Sequence, residues 1–192
     1  MKVFINPGHD LDYDSGAVSP RTGLRECEVA AHVGALVKHY LEAAGCTCEL
    51  MQSDNLAPTG KGRSEYVDRQ GPTVTETANA WDADIFVSIH CNSAEATEAC
   101  GTETFAYDLD GGEGEKLATC IQNQIVGAIG MDDRGVKADP DLLVLKYTVM
   151  PAVLVELGFI SNADDEELLT GCQDDFACAI ARGVTDYEQT LA

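Results

Sequence analysis

The sequence lacks any long hydrophobic run and has few basic residues, and each absence excludes a class of protein. No stretch approaches the ~18 consecutive apolar residues of a membrane-spanning helix, so we expect no membrane insertion. Only 12 lysines and arginines stand against 33 aspartates and glutamates, giving a net charge of −21. Repulsion therefore argues against nucleic acids as partners. The start of the chain, with one lysine and a short apolar run before Pro7, does not fit a signal peptide, so any export route is unknown.

Internal repeats, linkers and low-complexity segments are also missing, which predicts one domain over residues 1–192 and, we expect, a monomer. The eight cysteines include no CxxC pair. A chain of this length does not need a disulfide framework, so we predict mostly free thiols, as in a protein made in a reducing cytosol. Cys46 and Cys48 are alternate residues of a predicted strand and so share one face. We prefer this interpretation to a pair of metal ligands.

The alternation of apolar runs and amphipathic stretches predicts an α/β fold with a mostly parallel, twisted central sheet of about six strands flanked by helices. Residues 53–71 are polar and rich in breakers, which predicts a loop and the most mobile edge of the molecule. The predicted strands are residues 2–6, 47–51, 85–89, 102–107, 142–145 and 152–157, and the predicted helices are 26–44, 73–81, 115–129, 163–169 and 174–191.

Four ionisable residues lie at the ends of predicted strands or at a helix start: His9, Glu26, His90 and Glu156. In an open α/β sheet the carboxyl ends of the strands border the ligand crevice. Two imidazoles and a carboxylate there would make a three-ligand zinc site, and a second carboxylate could take a proton from water. Taken singly, either histidine is also explained as a structural residue. Glu26 is also explained as an acidic residue that offsets the positive end of a helix dipole. His32 and His39 fit a helix surface.

Glu156 has the poorest structural explanation of the four. It follows three apolar residues and precedes Leu157, where an unpaired carboxylate is costly to bury. We therefore expect it to face a cleft, a metal or a hydrogen-bond network. Such surroundings can raise the pKa of a carboxyl group toward the range useful for general-base catalysis.

Four blocks of sequence resemble the zinc-dependent N-acetylmuramoyl-L-alanine amidases of the type 3 catalytic domain, nearly end to end. Asn6 stands where that family commonly has aspartate, a position suited to orienting a zinc histidine, and Val74 stands where it has arginine. The matching blocks are Asn6-Pro7-Gly8-His9 with Asp14-Ser15-Gly16-Ala17; Gly23-Leu24-Arg25-Glu26; Ala78-Asn79 with residues 83–92 and 101–105; and Arg134-Gly135-Val136-Lys137 with residues 144–146 and 150–162.

The resemblance implies that His9, Glu26 and His90 hold Zn²⁺ and that Glu156 is the catalytic carboxylate. It also implies peptidoglycan as substrate, cut at the amide between the lactyl group of muramic acid and L-alanine. Some relatives insert a helix that occludes the zinc, and residues 93–114 are too short for one, which predicts an open site. Two alternatives stay open: a zinc peptidase or amidase acting on a soluble peptide, and a wall-binding module whose catalytic site has decayed. The sequence fits both a phage lysin and a bacterial remodelling enzyme.

Overall fold

The computed structural model describes residues 1–57 and 71–191 as a single α/β domain built on a six-stranded sheet. The strands lie in the order β2-β1-β3-β6-β4-β5. Four of the five neighbouring pairs are parallel, and only β4 against β6 is antiparallel. The predicted fold class is therefore confirmed. The predicted mobile loop lies largely outside the described residues.

Six helices accompany the six strands in the described part of the chain. In chain order the elements are β1 Lys2–Pro7, α1 Glu26–Ala43, β2 Thr47–Leu50, α2 Val74–Ala80, β3 Ile85–Asn92, β4 Thr102–Ala106, α3 Glu113–Ile129, β5 Asp133–Ala138, α4 Leu143–Lys146, β6 Ala152–Phe159, α5 Ala163–Gly171 and α6 Gln173–Thr190.

Local sequence explains where the helices begin and end. Helix α1 places an apolar stripe on the sheet, and Gly45 follows it in the left-handed region at φ 94°. Helix α2 begins with a capping box, in which the Thr73 side chain accepts from Glu76 N–H while the Glu76 carboxylate accepts from Thr73 N–H. No helix in the described ranges is long and apolar enough to span a membrane.

The two faces of the sheet are covered unequally, and this difference positions the site. One face packs its alternate residues, such as Ile89 and Val155, beneath α1, α3 and α6 in the larger core. The opposite face packs Phe86 and Leu154 against residues of α2 and of the short α4. That second cluster lies toward the amino ends of β3 and β6, so their later residues on the same face are left for a cleft.

One predicted strand is wrong. Residues 142–145 form most of α4, because a short buried apolar run fits a helix turn as well as a strand. The sixth strand is instead β5, at the sheet edge. An edge strand needs no apolar run, and β5 consists of exposed and half-exposed residues, with Gly135 at φ 79°. Strands β3 and β6 also continue past His90 and Glu156, which therefore lie within strands and not at their ends. All eight cysteines are free thiols, as predicted.

Candidate functional site

A row of polar side chains crosses three neighbouring strands on the less covered face of the sheet. The strand register pairs His90 of β3 with Glu156 of β6, and Glu156 with Glu103 of β4. Residues paired directly across adjacent strands project from the same face. The apolar cluster on this face ends at Leu154, and His90 and Glu156 beyond it are half-buried. The row therefore forms the floor of a partly exposed region beside that cluster, which is called the cleft.

His9 reaches this floor from the turn after β1. Gly8 N–H donates to the Ile89 carbonyl at 2.8 Å, which anchors the turn on β3. A Cβ atom on Gly8 would lie 2.3 Å from the His90 ring, so the turn passes the imidazole at a distance that only glycine permits. His9 itself has φ 63°, a conformation uncommon outside glycine. The two imidazole rings meet edge to face with centroids 5.1 Å apart.

Glu26 approaches the same point from the first residue of α1. Its side chain is only 5% exposed, and both carboxylate oxygens accept backbone hydrogen bonds. Oε2 accepts from Ala17 N–H at 2.8 Å, and Oε1 accepts from Cys91 N–H at 3.0 Å. The carboxylate is thereby held between the loop that precedes α1 and strand β3, whatever else it binds.

The three side chains meet at one point. His9 Nε2 lies 3.0 Å from Glu26 Oε2, and His90 Nδ1 lies 3.0 Å from Glu26 Oε1. One potential ligand atom from each residue lies within 4.8 Å of the other two, which makes this a group that could hold a metal ion. Imidazole nitrogen and carboxylate oxygen are both ordinary zinc ligands, with bond lengths of ~2.0–2.2 Å. The donor set fits such an ion.

Asp14 orients the His9 ring. Its Oδ2 lies 2.9 Å from His9 Nδ1, which leaves Nε2 turned toward Glu26. A carboxylate on the outer nitrogen fixes the tautomer and the ring direction of metal-binding histidines, and it raises their basicity. Asn6, the position expected from sequence to orient a histidine, instead accepts from Ser88 Oγ at 2.9 Å and donates to the Met51 carbonyl.

The electrostatics of His9 and Glu26 favour an ionised imidazole and an ionised carboxylate. Burial opposes the charge on Glu26, but hydrogen bonds with His9 and His90 outweigh it and hold its pKa well below the usual range. Burial likewise opposes the charge on His9, and Glu26 and Asp14 together raise its pKa to about 9. Because a metal ligates only the neutral imidazole, an incoming cation must displace a proton here, and its affinity should increase with pH.

Glu156 differs from Glu26 and Glu103 in that one of its carboxylate oxygens has no hydrogen bond in the described part of the chain. Its Oε2 atom is enclosed and accepts no hydrogen bond from any residue that the structure describes. Burial, with smaller effects from the charges of Glu26 and Glu103, raises its pKa to about 8 despite the opposing effect of His9. A carboxyl group with a pKa near neutrality can both accept and return a proton.

Comparison with known proteins identifies the family. The profile described as N-acetylmuramoyl-L-alanine amidase matches residues 3–186. The chain belongs to this family. It is 38% identical over 188 residues to the uncharacterized protein YqiI of Bacillus subtilis, covering 96% of this chain and 84% of that protein. It is 36% identical to the B. subtilis amidase LytC, covering 96% of this chain but only 35% of LytC. The solved amidase AmiC2 of Nostoc punctiforme superposes with a TM-score of 0.81 at 33% identity, covering 98% of this chain and 97% of that one.

The structure assembles the candidate site from the sequence blocks that resemble this family. It brings together His9, Glu26 and His90 and places Glu156 beside them, although their chemical roles stay predictions. His32 and His39 lie exposed on α1, apart from this group. Sequence reasoning assigned no role to Asp14, whose only signal was an acidic residue five positions after His9 in a Gly- and Asp-rich turn. It likewise assigned none to Glu103, because nothing in residues 101–105 distinguishes this glutamate from an ordinary strand residue.

Proposed function

We propose that this amidase is zinc-dependent and hydrolyses the amide between the lactyl group of N-acetylmuramic acid and L-alanine in peptidoglycan, acting at the cell wall. The observation that carries the proposal is one juxtaposition. Glu156 has an enclosed oxygen without a hydrogen bond from any described residue, and it lies in register beside His90 of a cluster whose ligand atoms lie within 4.8 Å of one another. Family membership supplies the reaction class.

In this proposal His9, Glu26 and His90 hold the zinc ion, and Asp14 sets the direction of the His9 ring. Bound Zn²⁺ would polarise the scissile carbonyl and lower the pKa of a water toward ~7. The backbone hydrogen bonds to Glu26 keep its carboxylate in place before metal arrives. Folding thus orders this carboxylate in advance, so that metal binding does not have to.

Glu156 is the proton carrier in this proposal. As a carboxylate it takes a proton from the attacking water, and as the acid it returns a proton to the leaving amine of L-alanine. Its enclosed Oε2 is free of hydrogen bonds from described residues, so nothing among them competes for that proton. No nucleophilic serine or cysteine is required, and Cys91, which is buried with its pKa raised chiefly by burial, is unsuited to being one.

The test is digestion of purified peptidoglycan with two readouts, new L-alanine amino termini and new reducing sugars. The proposal expects amino termini only, with one zinc per chain by elemental analysis. Glu156→Gln should lose about 10²–10⁴-fold in kcat while binding zinc normally, because general acid–base catalysis contributes ~10²–10⁴-fold. Glu49→Gln, an exposed carboxylate on β2, is the matched control and should remain active.

Other outcomes identify the alternatives. Cleavage of soluble peptides with intact peptidoglycan left untouched would favour a peptidase. Wall binding without hydrolysis by the zinc-loaded wild type would favour a decayed binding module. Undiminished hydrolysis by metal-free protein would remove the proposed mechanism.

A further inference from the structure

Beyond Glu156, the same row of the sheet holds a cluster that the proposed reaction does not use. Glu103 has a side chain only 5% exposed, yet Arg134 Nε donates to its Oε2 at 2.8 Å and Lys137 Nζ forms a second ion pair with the same oxygen. Its other oxygen accepts from Asn92 Nδ2 at 2.7 Å. A buried carboxylate thus anchors two cations from the edge strand β5 at the side of the cleft.

The two cations are held in position but retain free donors. Arg134 and Lys137 are 35% and 39% exposed. The guanidinium lies over the Phe159 ring at 4.8 Å, and its Nη1 donates to the Cys100 carbonyl at 3.3 Å. Its Nη2 makes no hydrogen bond within the described part of the chain. A planar guanidinium fixed along one edge presents the other edge for carboxylate recognition.

Two cations contact the single carboxylate of Glu103, and Glu98, Asp132 and Asp133 line the same surface as the two cations. Asp132 accepts a hydrogen bond from the Cys100 thiol at 3.4 Å. The neighbouring Asp133 is engaged away from the pair, because its Oδ1 accepts from Gln122 Nε2 at 2.7 Å and from Gly135 N–H at 2.9 Å. Neutralising Glu103 alone would need one cation, so the second is available for a ligand.

The position of the cluster indicates which part of a substrate it meets. Across the sheet the order is His90, then Glu156, then Glu103, with Arg134 and Lys137 reaching back from β5. In the proposed reaction Glu156 returns a proton to the leaving amine, so that amine lies toward Glu156. The peptide attached to the amine then continues toward β4 and β5, where the cations lie.

We propose that Arg134 and Lys137, positioned by Glu103, form a subsite for a carboxylate on the peptide side of the scissile amide. This inference rests on the proposed function for its direction along the substrate. The carboxylate has two sources, an acidic residue following L-alanine or the carboxyl terminus of a short peptide stem. A subsite of this kind makes the enzyme prefer acidic over amidated stems.

The experiment compares N-acetylmuramoyl-L-alanyl-D-glutamic acid, which carries both an α-carboxylate and a terminal γ-carboxylate, with its diamide, which carries neither. The wild type should cleave the acid with a kcat/KM about tenfold higher, chiefly through KM, as expected for one charge-assisted contact. Lys137→Met and Arg134→Gln should each reduce this preference several-fold, and the double variant should abolish it. Lys116→Gln and Arg182→Gln remove charges elsewhere on the surface, on α3 and α6, and should retain the preference. Extending the stem by one neutral residue separates the two sources, because only a terminal carboxylate would move.

A purely structural role predicts a different pattern, in which the variants lose activity on acid and amide equally. That result, or a wild-type preference absent from the start, overturns the subsite. Titration of L-alanyl-D-glutamate and of its diamide into the protein, followed by NMR, gives a second measurement that needs no turnover. If neither muramoyl substrate is cleaved, the proposed function fails for these compounds, and the titration still decides the subsite. Thermal unfolding identifies any variant that fails to fold, and the more exposed Lys137→Met then carries the test.

Discussion

Replacing Glu156 by glutamine should stabilise the metal-free protein, and only at high pH. Burial and the charges of Glu26 and Glu103 raise the pKa of Glu156 from 4.5 to about 8, so the folded chain retains a proton that the unfolded chain releases. Folding therefore becomes less favourable as the pH rises from 4.5 to about 8. Glutamine resembles the protonated form at every pH and removes this loss.

The size of the effect follows from the width of that pH window. Each pH unit between the unfolded and folded pKa values changes the free energy of unfolding by ~1.4 kcal/mol, which sets a ceiling of about 5 kcal/mol over the whole window. Local relaxation around a buried charge reduces such values, so we expect about 2–4 kcal/mol at pH 8.5 and less than about 1 kcal/mol at pH 5.5. For a chain of this size, ~1 kcal/mol corresponds to ~2–4 °C in Tm.

Urea unfolding in the presence of a chelator, at pH 5.5, 7 and 8.5, measures the difference directly from the midpoint when the m-value is unchanged. Glu49→Gln removes an exposed carboxylate and should shift stability by less than ~0.5 kcal/mol at every pH. Added zinc should shrink the advantage of Glu156→Gln, because a nearby cation favours the ionised carboxylate. An advantage that is equal at pH 5.5 and 8.5, or a loss of stability at pH 8.5, would refute the reasoning.

Three further predictions concern the metal group and its access. Asp14→Asn should weaken zinc affinity by ~10–100-fold, measured by competition with a chelator, because it removes the carboxylate that orients His9; Asp12→Asn, on the same loop, is the control. Gly8→Ala should abolish high-affinity zinc binding, since its Cβ would lie 2.3 Å from the His90 ring, whereas Gly127→Ala on α3 meets no neighbour within 4 Å and should be tolerated. Residues 93–112, all within the described ranges, contain no helix that would cover the cleft, so the purified chain should digest peptidoglycan without an added activator protein; dependence on an activator would contradict an open site.

The buried strands and the four proposed site residues were predictable because each leaves a local signal. Strand β6 is an almost continuous apolar run in the sequence. Its single carboxylate is conspicuous because burying an unpaired charge is unfavourable. The sequence of helix α1 indicates its start by acidic residues in the first turn and an apolar stripe that begins there. It indicates the end by Gly45, a residue that breaks helices. In these elements the local preference and the tertiary environment agree.

The remaining features depend on contacts between distant segments, for which a single sequence carries no signal. Strand β5 pairs with β4 only at the sheet edge and needs no apolar run, so its polar sequence resembles a loop. The partnership of Asp14 with His9 depends on a turn closed by paired backbone hydrogen bonds between Asp10 and Asp14. The geometry of that turn, more than its composition, decides which acid meets the imidazole.

The most consequential of these contacts arises from strand order. Strands β3 and β4 follow each other in sequence, but β6 lies between them and sets Glu156 directly opposite Glu103. Two carboxylates opposed in this way cannot both ionise without cost unless one is compensated. Burial opposes the charge on Glu103, but Lys137 and Arg134 outweigh it and lower its pKa. Glu156 pairs with no cation among the described residues, and its burial raises its pKa. Divergent pKa values in a neighbouring pair assign separate roles. Glu103 is the fixed anion that holds the cations of β5, and in the proposed mechanism Glu156 is the carboxyl group that exchanges a proton.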